Sequence, residues 1–359
     1  MWLYNQYMTN FVIIGTSGVG KTFLEQELES MGISFQLPKY TNRSPRSAEN
    51  TNKTVCISSI EFEKLFSPKS FFFTLDYGSY RYGWKKTDLL LHPQLPATLA
   101  ITLESLDSFL SQNPTFIPIL LTVDNSDLFL LEKRLHLREK SESEITRRLN
   151  LARNELNIIS KYIKLTKKKN GKVFYIKDNQ TVFDEVIPQI LFELLSLKYN
   201  LNCIPIKKKP WGFTVGIQPN SVDKFINSFF PNINLSKQQI SPRFLIINPN
   251  SRLSWQWHQK RSEWWKLIKG PAGIMLSHND IQPENFIVKN TSSTIKVEPT
   301  IRHRIIGLKT IAIVAEIWIH TDINNLSNAN DIVRVEDDYM SQRILPPPAV
   351  NVIGKPHQY

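Results

Sequence analysis

The sequence predicts two domains of different class, an α/β domain with a parallel sheet and flanking helices, then an all-β antiparallel barrel. Three observations predict it. A glycine-rich loop, Gly15-Thr16-Ser17-Gly18-Val19-Gly20-Lys21-Thr22, follows the apolar run Phe11-Val12-Ile13-Ile14 and leads into a helix-period stretch. Short apolar runs suited to buried parallel strands then alternate with helical patterns as far as residue 198. Past residue 208, β-rich runs such as Phe244-Leu245-Ile246-Ile247, Trp264 to Ile268 and Ile311 to Ile319 alternate with Asn, Pro and Ser turns, as in an antiparallel barrel. Asn200-Leu201-Asn202-Cys203-Ile204-Pro205, followed by three lysines and Pro210, is a composition break. The expected divisions are therefore 1–198, a linker at 199–208, the barrel at 209–345 and a tail at 346–359 that opens on three prolines.

The loop fits G-x-x-x-x-G-K-[ST] in the strand–loop–helix context that the motif requires. Its glycines allow dihedrals closed to bulkier residues and turn backbone N–H groups inward, so that a polyphosphate is held at a helix N-terminus. Gly15, Ser17, Gly18, Gly20, Lys21 and Thr22 are the candidate nucleotide- and Mg2+-binding residues, Lys21 reaching the β and γ phosphates and Thr22 the metal. ATP and Mg2+ are the cofactors implied. A helix is expected from Thr22 to Ser30, Phe23, Leu24 and Leu28 marking its buried side and Gly32 stopping it.

In the segment from Lys39 to Asn50, Arg43 and Arg46 lie three apart in a Pro/Ser-rich loop and can grip a second phosphate bidentately. A phosphorylated acceptor is expected. The chain here resembles the guanylate kinase superfamily, whose acceptor loop reads T-x-R-x-x-R-x-x-E; Thr41, Arg43, Arg46 and Glu49 stand at those positions. Ile57 to Glu63 resembles the family's V-S-x-x-E-F-E segment, and Tyr80-Arg81-Tyr82-Gly83 its tyrosine–glycine turn, which adds Tyr82 to the acceptor phosphate site. Leu131 to Arg138 followed by Ser141 to Arg153 resembles the family's lid, and Ile145, Leu149 and Ala152 or Leu156 keep helical spacing there. Arg134, Arg138 and Arg148 are expected to face the phosphates, and Arg138 and Arg148 join Lys21 as the catalytic set, spreading the charge of a transferring phosphoryl group. Strands are expected at Ile117 to Val123 and Val173 to Ile176, with a closing helix from Val182 to Leu197.

That resemblance covers residues 10–195 with departures in the acceptor pocket. The family's guanine-binding carboxylate falls on Phe72 or Phe73, and its D-x-D strand reads Ala100-Ile101-Thr102. A phenyl ring makes no hydrogen bond to a base edge, and each unpaired edge costs about 1–3 kcal/mol. The order of Tyr40-Thr41, Glu49-Asn50, Phe71 and Gly78 to Gly83 also resembles ribose 1,5-bisphosphate phosphokinases, which implies transfer to a sugar phosphate. The acceptor stays open between GMP and a ribose or hexose phosphate.

In the second half, Gln256 and His258 lie two apart on an expected strand and share a face, while Glu263 can return from the next turn or strand. Amide oxygen, imidazole and carboxylate on one inward surface can bind Zn2+, Mn2+ or Fe2+, and His303 can supply a second imidazole. The spacing resembles the cupin family, a double-stranded β-helix or jelly roll: H-x-H-x4-E-x6-G with Gln256 for the first histidine and Gly270 ending it, then P-x-G-x-x-H with Ile301 for glycine. More closely, Lys209-Pro210-Trp211-Gly212, Arg252-Leu253-Ser254 with Gln256 and His258, Arg261 with Glu263 and Trp265, and Asp331 to Tyr339 resemble the C-terminal cupin of type II mannose-6-phosphate isomerases over residues 207–342. Proteins of that family often carry a mannose-1-phosphate guanylyltransferase domain upstream, whose glycine-rich signature is missing here. The resemblance implies proton transfer between C1 and C2 of a sugar phosphate, Arg261 and Arg302 as phosphate holders, and a homodimer through the cupin.

The net charge of +12 is concentrated in Lys164 to Lys172 and Lys207-Lys208-Lys209 without interleaved aromatics, which disfavours nucleic acid against phosphorylated small molecules. Cys56 and Cys203 are too few and too far apart for a disulfide framework or a zinc signature. The longest apolar run, Thr310 to Ile319, holds Glu316 and is about half a membrane span, and the N-terminus shows no leader pattern. The expectation is a cytoplasmic enzyme of sugar or nucleotide metabolism, joining an ATP-dependent kinase to an isomerase-like cupin. Two alternatives stand beside it: the cupin as main catalyst with a nucleotide-sensing loop domain, and a nucleotide-binding scaffold without turnover.

Overall fold

The apolar run at Phe11 becomes the central strand of a parallel sheet, buried along its whole length as a strand covered on both faces must be. The computed structural model describes residues 9–45, 52–65, 70–138, 141–233 and 239–339. Five strands make this sheet: β1 (Phe11–Gly15), β2 (Phe35–Gln36), and, after a small second sheet, Ala97–Ala100, Ile117–Thr122 and Lys172–Tyr175. The second sheet comprises β3 (Lys39–Thr41), β4 (Thr54–Cys56), β5 (Phe71–Tyr77) and β6 (Tyr80–Lys85), so the later strands are β7, β8 and β9. The large sheet runs β2-β7-β1-β8-β9, all parallel, and the small one β4-β3-β6-β5.

Helix α1 (Lys21–Ser30) leaves the glycine loop and stops before Gly32, whose φ of 66° only glycine adopts freely. After α2 (Ser59–Leu65) and α3 (Leu106–Gln112), helices α4 (Leu128–Arg138) and α5 (Glu142–Lys168) occupy the stretch that resembles a lid in sequence. An aromatic cluster holds the two sheets together: Phe73 lies 4.8 Å from Phe109 and 6.1 Å from Trp84, and Phe109 lies 5.1 Å from Phe116. Phe72 joins it, 6.2 Å from Phe116. A register shift between Phe71 and Phe73 breaks strand alternation, so two consecutive rings pack into one core.

The stretch expected as one closing helix is broken. A turn of helix at Asn179–Thr181 leads into a π-helical turn, Val182–Val186, before α6 (Ile187–Tyr199). Pro188 has no N–H to return to the preceding turn, which fits a wide turn there. The chain divides into compact units at Met1–Ile187 and Pro188–Tyr359, so α6 goes with the second unit, and its Tyr199 ring sits 4.7 Å from Phe229.

The second unit is all-β apart from α6 and α7 (Val222–Phe229). Its strands are β10 (Cys203–Lys209), β11 (Gly212–Ile217), β12 (Ile240–Ile247), β13 (Trp255–His258), β14 (Arg261–Lys269), β15 (Ala272–Ser277), β16 (Ile287–Lys289), β17 (Thr294–Val297), β18 (Arg302–Gly307), β19 (Ala312–His320) and β20 (Ile332–Glu336). They form two antiparallel sheets, β10-β11-β12-β19-β14-β17 and β16-β15-β18-β13-β20. Leu245, Trp265, Leu267, Ile274, Ile305 and Val314 fill the space between them. The α/β class followed by an all-β, cupin-like fold is therefore what the chain adopts. No helix among the described residues is long and apolar enough to cross a membrane.

Candidate functional site

On β14 inward and outward residues alternate, so Arg261, Glu263, Trp265 and Leu267 all enter the interior. His258 closes β13 and His303 lies on its neighbour β18, directly opposite Gln256. The ligand atoms of His258, Glu263 and His303 lie within 4.8 Å of one another, and all three residues are buried. His258 Nε2 is 3.1 Å from Glu263 Oε1, and His303 Nε2 is 3.5 Å from Oε2.

Tautomers follow from the partners. His303 Nδ1 lies 2.9 Å from the Ile301 carbonyl, which can only accept, so Nδ1 carries the hydrogen and Nε2 a lone pair. Among the described residues that buried Nε2 has no hydrogen-bond partner. His258 Nε2 lies 3.1 Å from Arg261 Nη2, which can only donate, so it too presents a lone pair, beside a carboxylate oxygen. Three lone-pair atoms facing one buried point fit a divalent cation. Gln256, the fourth residue expected there, accepts from Ser254 Oγ at 2.7 Å.

Burial holds His303 down to about pH 4, although Glu263 works the other way. Glu263 titrates well below the ordinary carboxylate range: burial alone raises it, but its surroundings of His258, His303 and the Arg261 guanidinium outweigh burial. Between pH 4 and the ordinary histidine value near 6.5, the unfolded chain takes a proton at His303 that the folded site refuses. Stability of the metal-free protein is therefore expected to rise from pH 4 to 6.5, by on the order of 3 kcal/mol from this group, and to level off above. Urea denaturation followed by tryptophan fluorescence checks this; an equal slope in His303→Gln would remove the assignment.

Arg261 is enclosed rather than available as a phosphate holder. Its guanidinium donates to Glu263 Oε1 (2.9 Å), Ser327 Oγ (2.7 Å) and the Asn328 carbonyl (3.2 Å), and lies 3.5 Å from the Trp318 ring centroid. Arg302 is occupied by Asp280 at 2.7 Å and by the Thr300 carbonyl at 2.8 Å. The cations that reach the adjacent cavity of about 460 Å³ include Lys209, Arg243 and Arg334, with Gln256, Arg261 and Glu316 also in its wall. Burial, then the charges of Lys207, Arg243 and Arg334, lower the Lys209 amine from its ordinary value. Glu316 pairs with Arg243 and accepts from Trp265 Nε1 at 3.0 Å; burial raises its carboxyl.

In the first unit the glycine loop has the expected form. A Cβ on Gly15 would sit 2.0 Å from the Leu121 carbonyl oxygen, and Gly18 and Gly20 hold φ of 82° and 109°. Lys21 Nζ donates to the carbonyls of Gly15 (2.6 Å) and Thr16 (3.1 Å), and Thr22 is exposed on the first turn of α1. The Ser17 backbone N–H donates to Glu155 Oε2 at 2.6 Å. Arg134 Nη1 donates to the Val19 carbonyl at 3.2 Å, which brings α4 onto the loop. Arg148 is buried on α5, two turns before Glu155, and pairs with Glu144 at 2.6 Å. Arg43 is buried beyond β3, donating to the Ser44 carbonyl, and Tyr82 stands opposite Thr41 on β6. Arg46, Glu49 and the side chain of Arg138 lie outside the described residues.

Residues 231–337 match the family model described as mannose-6-phosphate isomerase C-terminal. That segment contains His258, Glu263 and His303. Among solved structures, guanylate kinase from Anaplasma phagocytophilum is similar with a TM-score of 0.36 and 14% identity, over 55% of this chain and 100% of that one. Oxalate decarboxylase from Bacillus subtilis is similar with a TM-score of 0.27 and 12% identity, over 36% of this chain and 29% of that one. No curated protein matches the chain in sequence.

Two carboxylates beside the candidate sites were not singled out from the sequence. Glu316 had a signal, a single charge in an apolar strand. Glu155 had none beyond an acidic residue on the buried stripe of a helix.

Proposed function

We propose that the second unit binds a divalent metal ion through His258, Glu263 and His303 and interconverts aldose and ketose forms of a phosphorylated sugar. The convergence of two imidazole Nε2 lone pairs on the buried Glu263 carboxylate carries this reading. The match to the isomerase C-terminal model supports the substrate class. When bound, the metal supplies Lewis-acid polarisation of a sugar oxygen. The chain's own residues do the rest: Lys209, Arg243 and Arg334 attract the phosphate, and Glu316, raised by burial, moves the proton between C1 and C2. In the first unit Lys21 and Thr22 take the γ-phosphate and Mg2+ of ATP for transfer to a small phosphorylated acceptor, with Arg43, Arg46 and Tyr82 holding that acceptor's phosphate and Arg138 and Arg148 the transferred group.

The test is metal titration of chelator-treated protein with Mn2+ and Zn2+, paired with conversion of mannose 6-phosphate to fructose 6-phosphate. Binding of one ion per chain, lost in His303→Ala, with turnover restored by metal, is the expected result. Absence of metal binding in the wild type would sink the reading. A second reading, a binding module without turnover, is favoured by one contact: Arg261 Nη2 already engages His258 Nε2, so the site is charge-balanced without metal. Metal binding without isomerisation of any hexose or pentose phosphate would select it.

A further inference from the structure

Glu25 has no part in either reading, yet it is placed as few helix residues are. It lies three residues after Thr22 and four after Lys21 on α1, hence on the same face. It is 3% exposed, and Gln36 Nε2 donates to its Oε2 at 3.1 Å. Gln36 belongs to β2, which pairs in parallel with β7 opposite Thr98, and the backbone of Ala100, the last residue of β7, favours the charged form of the same carboxylate. Lys39 and Lys21 are its neighbouring positive charges. The carboxylate thus lies at the C-terminal end of the strand beside β1, the end of a parallel sheet where ligands collect.

A phosphate-binding loop of this kind holds Mg2+ with its Ser or Thr and with an acidic residue on a neighbouring strand. Here β7 ends in Ala100-Ile101-Thr102, without a carboxylate. A buried carboxylate with no role is costly to keep, and burial pushes this one up to about 7. We propose that Glu25, with Thr22, holds the Mg2+ of the donor nucleotide, supplying from the helix the carboxylate that β7 lacks. This rests on the phosphate-loop reading of the first unit. Asp124, just past the end of β8 on the other side of β1, is the rival carboxylate.

The experiment is equilibrium binding of a fluorescent ATP analogue to the full chain, in Mg2+ and in EDTA, for wild type, Glu25→Gln, Glu25→Asp, Thr22→Val and Asp124→Asn. Circular dichroism and thermal melts establish that each variant is folded. The wild type is expected to gain about tenfold in affinity from Mg2+. Glu25→Gln is expected to match it in EDTA and to lose that gain, as is Thr22→Val. Glu25→Asp, which keeps the charge but withdraws it by one methylene, is expected to retain part of the gain and decides the matter if Glu25→Gln does not fold. A full Mg2+ gain in Glu25→Gln, a loss confined to Asp124→Asn, or a Glu25→Asp indistinguishable from wild type when Glu25→Gln does not fold overturns the proposal. A wild type that binds the analogue in neither condition overturns the phosphate-loop reading itself.

Discussion

Lys21→Ala is expected to lower phosphoryl transfer from ATP by about 10³-fold while leaving the first unit folded, because the side chain acts on a charge that develops only in the reaction. Its ammonium donates to the Gly15 and Thr16 carbonyls, at 2.6 and 3.1 Å. Both contacts are part-buried, so losing the donor is expected to cost the first unit about 1–3 kcal/mol of stability. Incubation with γ-labelled ATP and Mg2+ against GMP, other nucleoside monophosphates, ribose 1,5-bisphosphate and hexose phosphates measures both the loss and the acceptor. Transfer to a sugar phosphate but not to GMP fits an acceptor sheet whose Phe72 and Phe73 are core residues. Transfer to GMP restores guanine recognition by other side chains. An unchanged rate in Lys21→Ala removes the loop from the chemistry.

The parts of the molecule visible in the sequence are those whose determinants are local. Strand, glycine loop and helix lie within residues 11–30, and the positive φ at Gly18 and Gly20 is what the motif's glycines announce. The sharing of one interior by Arg261, Glu263 and Trp265 follows from strand alternation alone. What alternation cannot say is where an inward side chain stops. Arg261 reads as a phosphate holder, but Ser327 and Asn328, more than sixty residues on, close over it. Glu155 reaches Ser17 across 138 residues of sequence, a contact set by how α5 crosses the sheet. Phe72 defeated the period-two rule because the bulge in β5 turns it toward the same core as Phe73. The division at Ile187 was hidden because α6 is apolar on the face that meets Phe229, and composition alone does not reveal which core a helix joins.

Glu263→Ala is expected to cost the second unit about 3–5 kcal/mol as well as its metal, and the larger part of that cost comes from Arg261 rather than from packing. The Arg261 and Glu263 side chains are 0% and 2% exposed and 2.9 Å apart. With the carboxylate gone the guanidinium cannot swing out to water, since Trp318 covers one of its faces and Ser327 and the Asn328 carbonyl hold its Nη1. Asp331, at 3.9 Å, is too distant to replace the lost hydrogen bond. A buried charge without its partner is the expensive state; a buried pair exchanged for two apolar residues is close to neutral. The double variant Arg261→Met with Glu263→Leu is therefore expected to recover most of the lost stability and none of the metal binding, because the two histidines alone leave a divalent ion without an anionic ligand. Urea denaturation and Mn2+ titration of the wild type, the single variant and the double variant read the two effects separately. If the double variant were no more stable than Glu263→Ala, the cost would lie in cavity formation; if it still bound metal tightly, Glu263 would not be a ligand.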